Sequence, residues 1–282
     1  MRNPTFVSAS LRLAFAAGAV ILLTACGKTP VRTENAAAPV AVPPYSVERI
    51  KRDLILPETI KHVRINNPHG SVGIKAIDNR TLGAYEVVQL IGETPEKPDI
   101  QMRIDGDSAI VEVSYASDRH IGTDKLVHGY RKGRVDLGMF LPAGPELHVT
   151  TTYGDIQVRR VDNEVFARTR DGKLMVAASG SIDAATESGS LRVFPTQAKW
   201  RKPMKLHTGS GDILMEVPLY GEIKLDVETA GSIAGQVPLE LRDAGKGRQH
   251  GELHHAGASQ HITVTSDSGD IYLIPIERLP QR

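Results

Sequence analysis

The chain has 282 residues, with 34 lysines and arginines against 33 aspartates and glutamates. A balance this near neutral excludes the basic excess of a nucleic-acid-binding surface. A single cysteine excludes an intrachain disulfide framework, and an aromatic content of 5% requires a core of aliphatic side chains.

Residues 1–25 read as a processing segment. Arg2 and Arg12 supply a positive flank, and Leu13 to Leu23 is an apolar run of eleven residues, too short to span a bilayer as a helix. The run closes on Leu23-Thr24-Ala25-Cys26, which resembles the bacterial lipobox. That resemblance implies that Cys26 carries lipid and that the peptide before it is removed. Several acyl chains, at about 0.8 kcal/mol per buried methylene, make such an anchor effectively permanent. Gly27 and Lys28 follow the cysteine, and by the enteric sorting rule the lack of an aspartate there points to the outer membrane. The membrane, reached through this lipid, is thus the first expected partner. Residues 26–45 form the lipidated cysteine and a tether rich in proline and alanine. Partly extended polyproline geometry, at about 3 Å per residue, gives it a reach of up to roughly 60 Å.

Residues 46–150 read as an N-terminal region of short strands. The segment Ser46 to Arg52 fits either a short helix or a strand. Alternating runs follow at Val63-Arg64-Ile65, Val72-Gly73-Ile74, Tyr85 to Leu90, Ile100 to Ile104, Ala109 to Val113 and Val135 to Leu141, with turn signals at Asn67-Pro68, Asp78-Asn79, Asp105-Gly106 and Pro142-Ala143-Gly144. These are expected to be antiparallel, with an exposed loop over 117–134.

Residues 151–277 carry a repeated phrase: a glycine, a polar residue, then a branched aliphatic. It occurs at Gly154-Asp155-Ile156, Gly172-Lys173-Leu174, Gly180-Ser181-Ile182, Gly189-Ser190-Leu191, Gly211-Asp212-Ile213, Gly221-Glu222-Ile223, Gly231-Ser232-Ile233 and Gly269-Asp270-Ile271, with an earlier copy at Gly70-Ser71-Val72. Glycine admits positive φ, so each phrase reads as a tight turn, and the alternation after it reads as a half-buried strand. From Gly154 the main series steps by 18, 17, 22, 20 and 38 residues, while Gly180 and Gly221 fall about midway between members. One repeat is therefore roughly 19 residues with two turns and two strands, a period that points to stacked coils. The expected fold is all-β, a solenoid-like stacked repeat, with an irregular β-sandwich as the alternative. Residues 195–203 interrupt the repeat and carry Trp200, which fits packing on the coil edge or an exposed contact. Residues 241–260 read as a glycine- and histidine-rich loop, and 278–282 as a C-terminal tail.

Several pieces together resemble a known family: the lipobox, Asn67-Pro68-His69-Gly70-Ser71-Val72-Gly73-Ile74, the Val135 to Pro142 strand ending in Leu-Pro, Thr151-Thr152-Tyr153-Gly154-Asp155-Ile156, and Ser266 to Leu273. The order looks like that of the bacterial β-strand-repeat envelope proteins labelled "putative adhesin", a domain-of-unknown-function family, over about residues 46–277. The resemblance implies an all-β repeat fold, an envelope location and no established catalytic activity; it carries over no functional residues.

The chemistry open to the residues is limited. Calcium-binding β-rolls need a denser glycine and aspartate repeat than Asp155, Lys173, Ser190, Asp212, Ser232 and Asp270 supply. If coils stack in chain order, Asp155 meets Lys173 and Asp212 lies between serines, so these aspartates read as caps on backbone amides. His250, His254, His255 and His261 cluster in sequence; His254, His255 and His261 are the candidates for a transition-metal site, although a solvated loop explains them and no metal is assigned. No Gly-x-Ser-x-Gly elbow and no cofactor motif are present. The sequence reading is a non-catalytic, lipid-anchored envelope protein, adhesin-like or a scaffold, that binds a protein or glycan and no nucleic acid. The alternatives are a polysaccharide-active enzyme, marked by a groove lined with carboxylates, and a periplasmic metal-binding protein. A Cys26→Ala variant is expected to move the protein from the membrane fraction to the soluble fraction; a fractionation blot that leaves it in the membrane overturns the lipid anchor.

Overall fold

Alternation of apolar and polar residues sets the architecture. A computed structural model describes residues 45–92, 95–116 and 133–277. Cys26, the tether, the C-terminal tail and all but the last two residues of the expected loop over 117–134 lie outside the described residues. The described chain is all-β, arranged as two stacked sheets of 10 and 11 strands. Their facing sides are filled by Val, Ile, Leu, Ala and Met.

Each coil contributes one strand to each sheet. In the 11-stranded sheet the central strands are β2 (His62–His69), β8 (Glu146–Tyr153), β10 (Val165–Asp171), β12 (Ile182–Ser188), β14 (Met204–Thr208), β16 (Ile223–Thr229) and β20 (Gln260–Ser266). Their successors in the 10-stranded sheet are β3 (Val72–Ile77), β9 (Ile156–Val161), β11 (Leu174–Ala178), β13 (Leu191–Pro195), β15 (Ile213–Pro218), β17 (Ile233–Gly235) and β21 (Ile271–Ile276). Neighbours among these pair in parallel and in register, so that Val165 stands between Leu147 and Ile182, and Leu174 between Ile156 and Leu191. Identical apolar positions thus form continuous ladders through the stack, which is the expected solenoid rather than the irregular sandwich.

The main glycine series lines one corner. A Cβ on Gly154 would strike the Gly70 carbonyl, one on Gly172 the Gly154 carbonyl, and so on through Gly189, Gly211, Gly269 and Gly231. Only Gly70 and Gly189 of this series have positive φ. The glycines at the other positions answer to a lack of space, not to a turn dihedral as the sequence suggested. Behind them runs a second ladder. Three residues before most of these glycines stands a buried hydroxyl, and it reaches the glycine carbonyl of an adjacent coil: Thr169 to Gly154 at 3.0 Å, Thr186 to Gly172 at 3.1 Å, Thr208 to Gly189 at 3.1 Å and Ser266 to Gly211 at 3.2 Å. Thr229 donates likewise to Gly269, and Asn67 places its Nδ2 2.7 Å from the Val135 carbonyl. Gly180 and Gly221 lie at the opposite corner, where an added Cβ would meet the Asn163 carbonyl and the Ala198 side chain.

The turn aspartates cap amides of the next coil: Asp155 accepts from Lys173 N, Asp212 from Asp270 N and Asp270 from Ser232 N, at 2.8–2.9 Å. The amide and hydroxyl of Ser232 hold Asp270 below the usual carboxylate range. The stacking order departs from chain order, however. β20 and β21 insert between the coil of β14 and β15 and that of β16 and β17. Asp212 therefore lies between Ser190 and Asp270, not between serines.

The region before residue 150 is not simply antiparallel. β2 and β3 form a coil inside the parallel stack, paired with β8 and β9. Antiparallel strands finish the sheets instead. β1 (Tyr45–Ile55), which includes the ambiguous Ser46 to Arg52, pairs with β4 (Thr81–Ile91), and β4 with β7 (Arg134–Pro142). β5 (Asp99–Asp105) closes against β6 (Ser108–Ser114). At the other end, the expected histidine-rich loop is largely a hairpin, β18 (Glu240–Gly245) and β19 (Arg248–His254), paired onto β16.

Gly172→Ala is expected to destabilise by at least about 3 kcal/mol, because its Cβ meets backbone that cannot give way. Gly73→Ala, whose Cβ would sit 3.9 Å from its nearest neighbour, should stay within about 0.5 kcal/mol of wild type. Thr169→Val should cost about 1–3 kcal/mol by removing a buried hydroxyl that bonds the Gly154 carbonyl and Thr151. Denaturant midpoints of the three variants check this order.

Candidate functional site

The corner opposite the glycine ladder is open. Strands of the 10-stranded sheet end there, and the chain crosses back to the other sheet. At this crossing Asp78 after β3, Arg160 and Asp162 at the end of β9, Phe194 at the end of β13, and Glu216 on β15 line a cleft of about 1320 Å³ with Glu146 and Glu164. The 195–203 insertion forms its overhang, contributing Lys199, Trp200 and Arg201. Trp200 is 9% exposed and packs with the core, and its backbone amide donates to Gln260 Oε1 at 2.9 Å. Of the two placements open to it from sequence, it takes the one on the coil edge. Arg160 has φ of 50° at an irregularity in the β9–β11 pairing. A non-glycine residue there carries backbone strain of about 1–3 kcal/mol, and such strain clusters at binding sites.

The charges of the cleft are largely engaged. Lys202 Nζ lies 2.5 Å from Glu146 Oε1 and 2.7 Å from Glu164 Oε2. The hydrogen bond to Lys202 holds Glu146 below its ordinary value, and both carboxylates raise Lys202. Asp162 accepts from the Ser179 hydroxyl at 2.8 Å. Glu216 differs: burial alone pushes its carboxyl up.

Glu146 also faces two histidines on the outer side of the 11-stranded sheet. His62 on β2 is its cross-strand partner, and His148 lies two residues along β8. Glu146 Oε2 is 3.5 Å from His62 Nδ1 and 3.5 Å from His148 Nε2. Burial is the main cause that lowers His148 from its ordinary value. The row continues through Phe166, 5.4 Å from the His148 ring, to Arg168, which lies over Phe166 at 3.9 Å and pairs with Asp183 at 2.6 Å.

The histidines singled out from sequence do not converge. His254 and His261 flank Lys224 from the strands on either side of β16, so a cation stands between them. His255 Nδ1 lies 2.9 Å from the Gly221 carbonyl, in the turn after β19. Of that sequence cluster, His250 alone joins acids, with Asp226 and Glu252. His62 and His148 escaped notice because 86 positions of chain separate two residues that only the coil register brings together. The cleft left one trace in the sequence, the longer step between Gly189 and Gly211 where the Trp200 insertion sits.

Glu146 tests the electrostatics of this corner. A carboxyl held low stabilises the fold fully above its ordinary value of 4.5, and that stability is lost as pH falls through the lowered value. Lys202→Met removes this contribution. It is expected to cost about 1 kcal/mol at pH 7, the modest figure of a partly exposed pair, with the difference shrinking below about pH 4 in parallel melts.

No curated protein matches the chain. Two solved structures are similar to it at 12% identity. One, described as a "putative cell adhesion protein" from Clostridium sporogenes ATCC 15579, has a TM-score of 0.45 and covers 81% of this chain and 100% of its own. The other, described as a "putative adhesin" from Bacteroides fragilis NCTC 9343, has a TM-score of 0.26 and covers 81% of this chain and 97% of its own. Residues 58–273 match the family model described as Toastrack DUF4097, most of the chain, and the protein therefore belongs to that domain-of-unknown-function family.

Proposed function

We propose that this is a non-catalytic, lipid-anchored protein of the bacterial cell envelope, adhesin-like, whose rigid coil stack presents the Trp200 cleft to a glycan or protein ligand. The observation that carries the reading is the cleft itself. It is large, it draws residues from several coils, and it sets Arg160, Lys199 and Arg201 among acids beside Phe194 and Trp200. Donors and acceptors beside the half-buried Phe194 ring suit a hydroxyl-rich or mixed-charge ligand. Glu146, Glu164 and Asp162 are held by Lys202 and Ser179, so they serve as fixed acceptors rather than as free acids. Fixed side chains on parallel coils lose little entropy on binding. The lipid at Cys26 would confine the cleft to the membrane surface and raise the effective concentration of a ligand bound there.

One observation favours a second reading. A groove containing several carboxylates, one of them raised by burial, is the marker of a polysaccharide-active enzyme, and Glu216 would be its general acid. The purified protein is to be screened against envelope polysaccharides and oligosaccharide fragments, with the glycan recovered and sized by mass spectrometry. Binding that leaves the glycan intact and falls at least about tenfold in Arg160→Ala and Arg201→Ala supports the binding protein. Cleavage that disappears in Glu216→Gln replaces it with the enzyme. Binding that is unchanged in both arginine variants places the ligand elsewhere on the stack.

A further inference from the structure

The cluster of His62, Glu146 and His148 has the composition and dimensions of a metal site. We propose that these three residues bind a divalent transition-metal ion, zinc by preference, on the outer face of the 11-stranded sheet. The inference does not depend on the ligand reading of the cleft, although Glu146 lines both sites.

The register of parallel strands makes the cluster. His62 is level with Glu146, and His148 shares the face of Glu146 because side chains two apart on a strand point the same way. The three ligand atoms all lie within 4.8 Å of one another. A tetrahedral zinc ion with bonds of about 2.0–2.1 Å sets its ligand atoms roughly 3.3–3.4 Å apart. The two His–Glu edges, at 3.5 Å each, are already near that length. Among the described residues, His62 Nδ1 is closed to solvent and makes no hydrogen bond, with only the 3.5 Å ion-pair contact to Glu146 Oε2. An ion at the centre supplies the missing partner.

The surroundings fit. Lys202 takes Oε1 of Glu146 and leaves Oε2 turned to the two histidines, so the carboxylate is set to bind through one oxygen. The other ring nitrogen of His62 faces Asp107 Oδ2 at 4.0 Å, beyond hydrogen-bond length but with a negative charge on the outer side of the imidazole. Lys202 opposes a cation by its charge, while Glu164 and Asp107 offset it. Two imidazoles and one carboxylate select zinc, nickel, cobalt or copper over calcium or magnesium. Three protein ligands leave a fourth position for water or a bound group, and two of the three, Glu146 and His148, line a recess of about 330 Å³ with Phe166. A second group, Asp226, His250 and Glu252, lacks this character. His250 Nε2 is bound to Glu252 Oε1 at 2.8 Å, and Arg242 occupies the same oxygen at 2.6 Å.

The test uses the full-length chain, extracted in detergent, stripped with EDTA and titrated with zinc chloride against a chromogenic chelator. The expected result is about one equivalent of zinc, with affinity falling at least about tenfold in His62→Ala, in His148→Ala and in Glu146→Gln, and unchanged in His250→Ala. Cobalt chloride added to the stripped wild-type protein should give the visible bands of tetrahedral cobalt, a readout that needs no variant to fold. Circular dichroism confirms that each variant retains its sheet. An absence of stoichiometric zinc binding and of cobalt bands in the wild type overturns the proposal. So does binding that survives both histidine substitutions, or that is lost in His250→Ala.

Discussion

The closest constraint in the molecule is the contact between backbones at the glycine corner. The carbonyl of one glycine occupies the space where the Cβ of the next would be, coil after coil. That contact lets amide hydrogen bonds run on around the turn, as from Ile156 N to the Lys173 carbonyl and from Leu174 N to the Ser190 carbonyl, both near 3.0 Å. It would otherwise bury carbonyls without donors, and the Thr and Ser ladder behind it supplies those donors. Space and hydrogen bonding are solved by one motif, a hydroxyl three residues before a glycine. The apolar ladders then stack in register, because the corner permits no slip.

A stack held this way has two open ends, and parallel edges invite further strands. The molecule closes its ends with antiparallel strands whose outer sides are charged: Arg49, Lys51 and Asp53 on β1, Asp99, Arg103 and Asp105 on β5, and Glu240, Arg242 and Asp243 on β18. At the remaining edge β17 is only three residues long, too short to template a partner. Glu86 shows the cost of building such a cap. It is fully buried on β4 with Arg52 Nε at 3.1 Å, neither oxygen accepts a hydrogen bond among the described residues, and burial raises its carboxyl.

Much of this fold was legible because coils repeat. The spacing from Gly154 to Gly189 carries the period, and the midway positions of Gly180 and Gly221 carry the second corner. The hydroxyl ladder was equally present in the sequence, as Thr151, Thr169, Thr186, Thr208 and Ser266, but a phrase that starts at the glycine overlooks it. What could not be read is the order of coils. Gly211, Gly231 and Gly269 carry interchangeable phrases, so nothing local says that the last coil enters between the other two. β18 was illegible for another reason: each of its six residues is exposed, and a strand that buries nothing has no alternation.

The candidate sites follow from the same logic of register. Neither the Trp200 cleft nor the His62 cluster is a sequence motif, because each collects one or two side chains from successive coils. Glu146 belongs to both, with one oxygen turned to Lys202 and the other to the histidines. Such a residue couples its two neighbourhoods. Charge placed on the histidine side draws on the carboxylate that Lys202 also holds, and Lys202 ties in turn to Glu164 at the cleft. Because the backbone beneath is fixed by the glycine corner, little of that coupling can be absorbed by movement of the coils. It would appear instead in the pairing of Glu146, Glu164 and Lys202, the one network that joins the histidine face to the cleft.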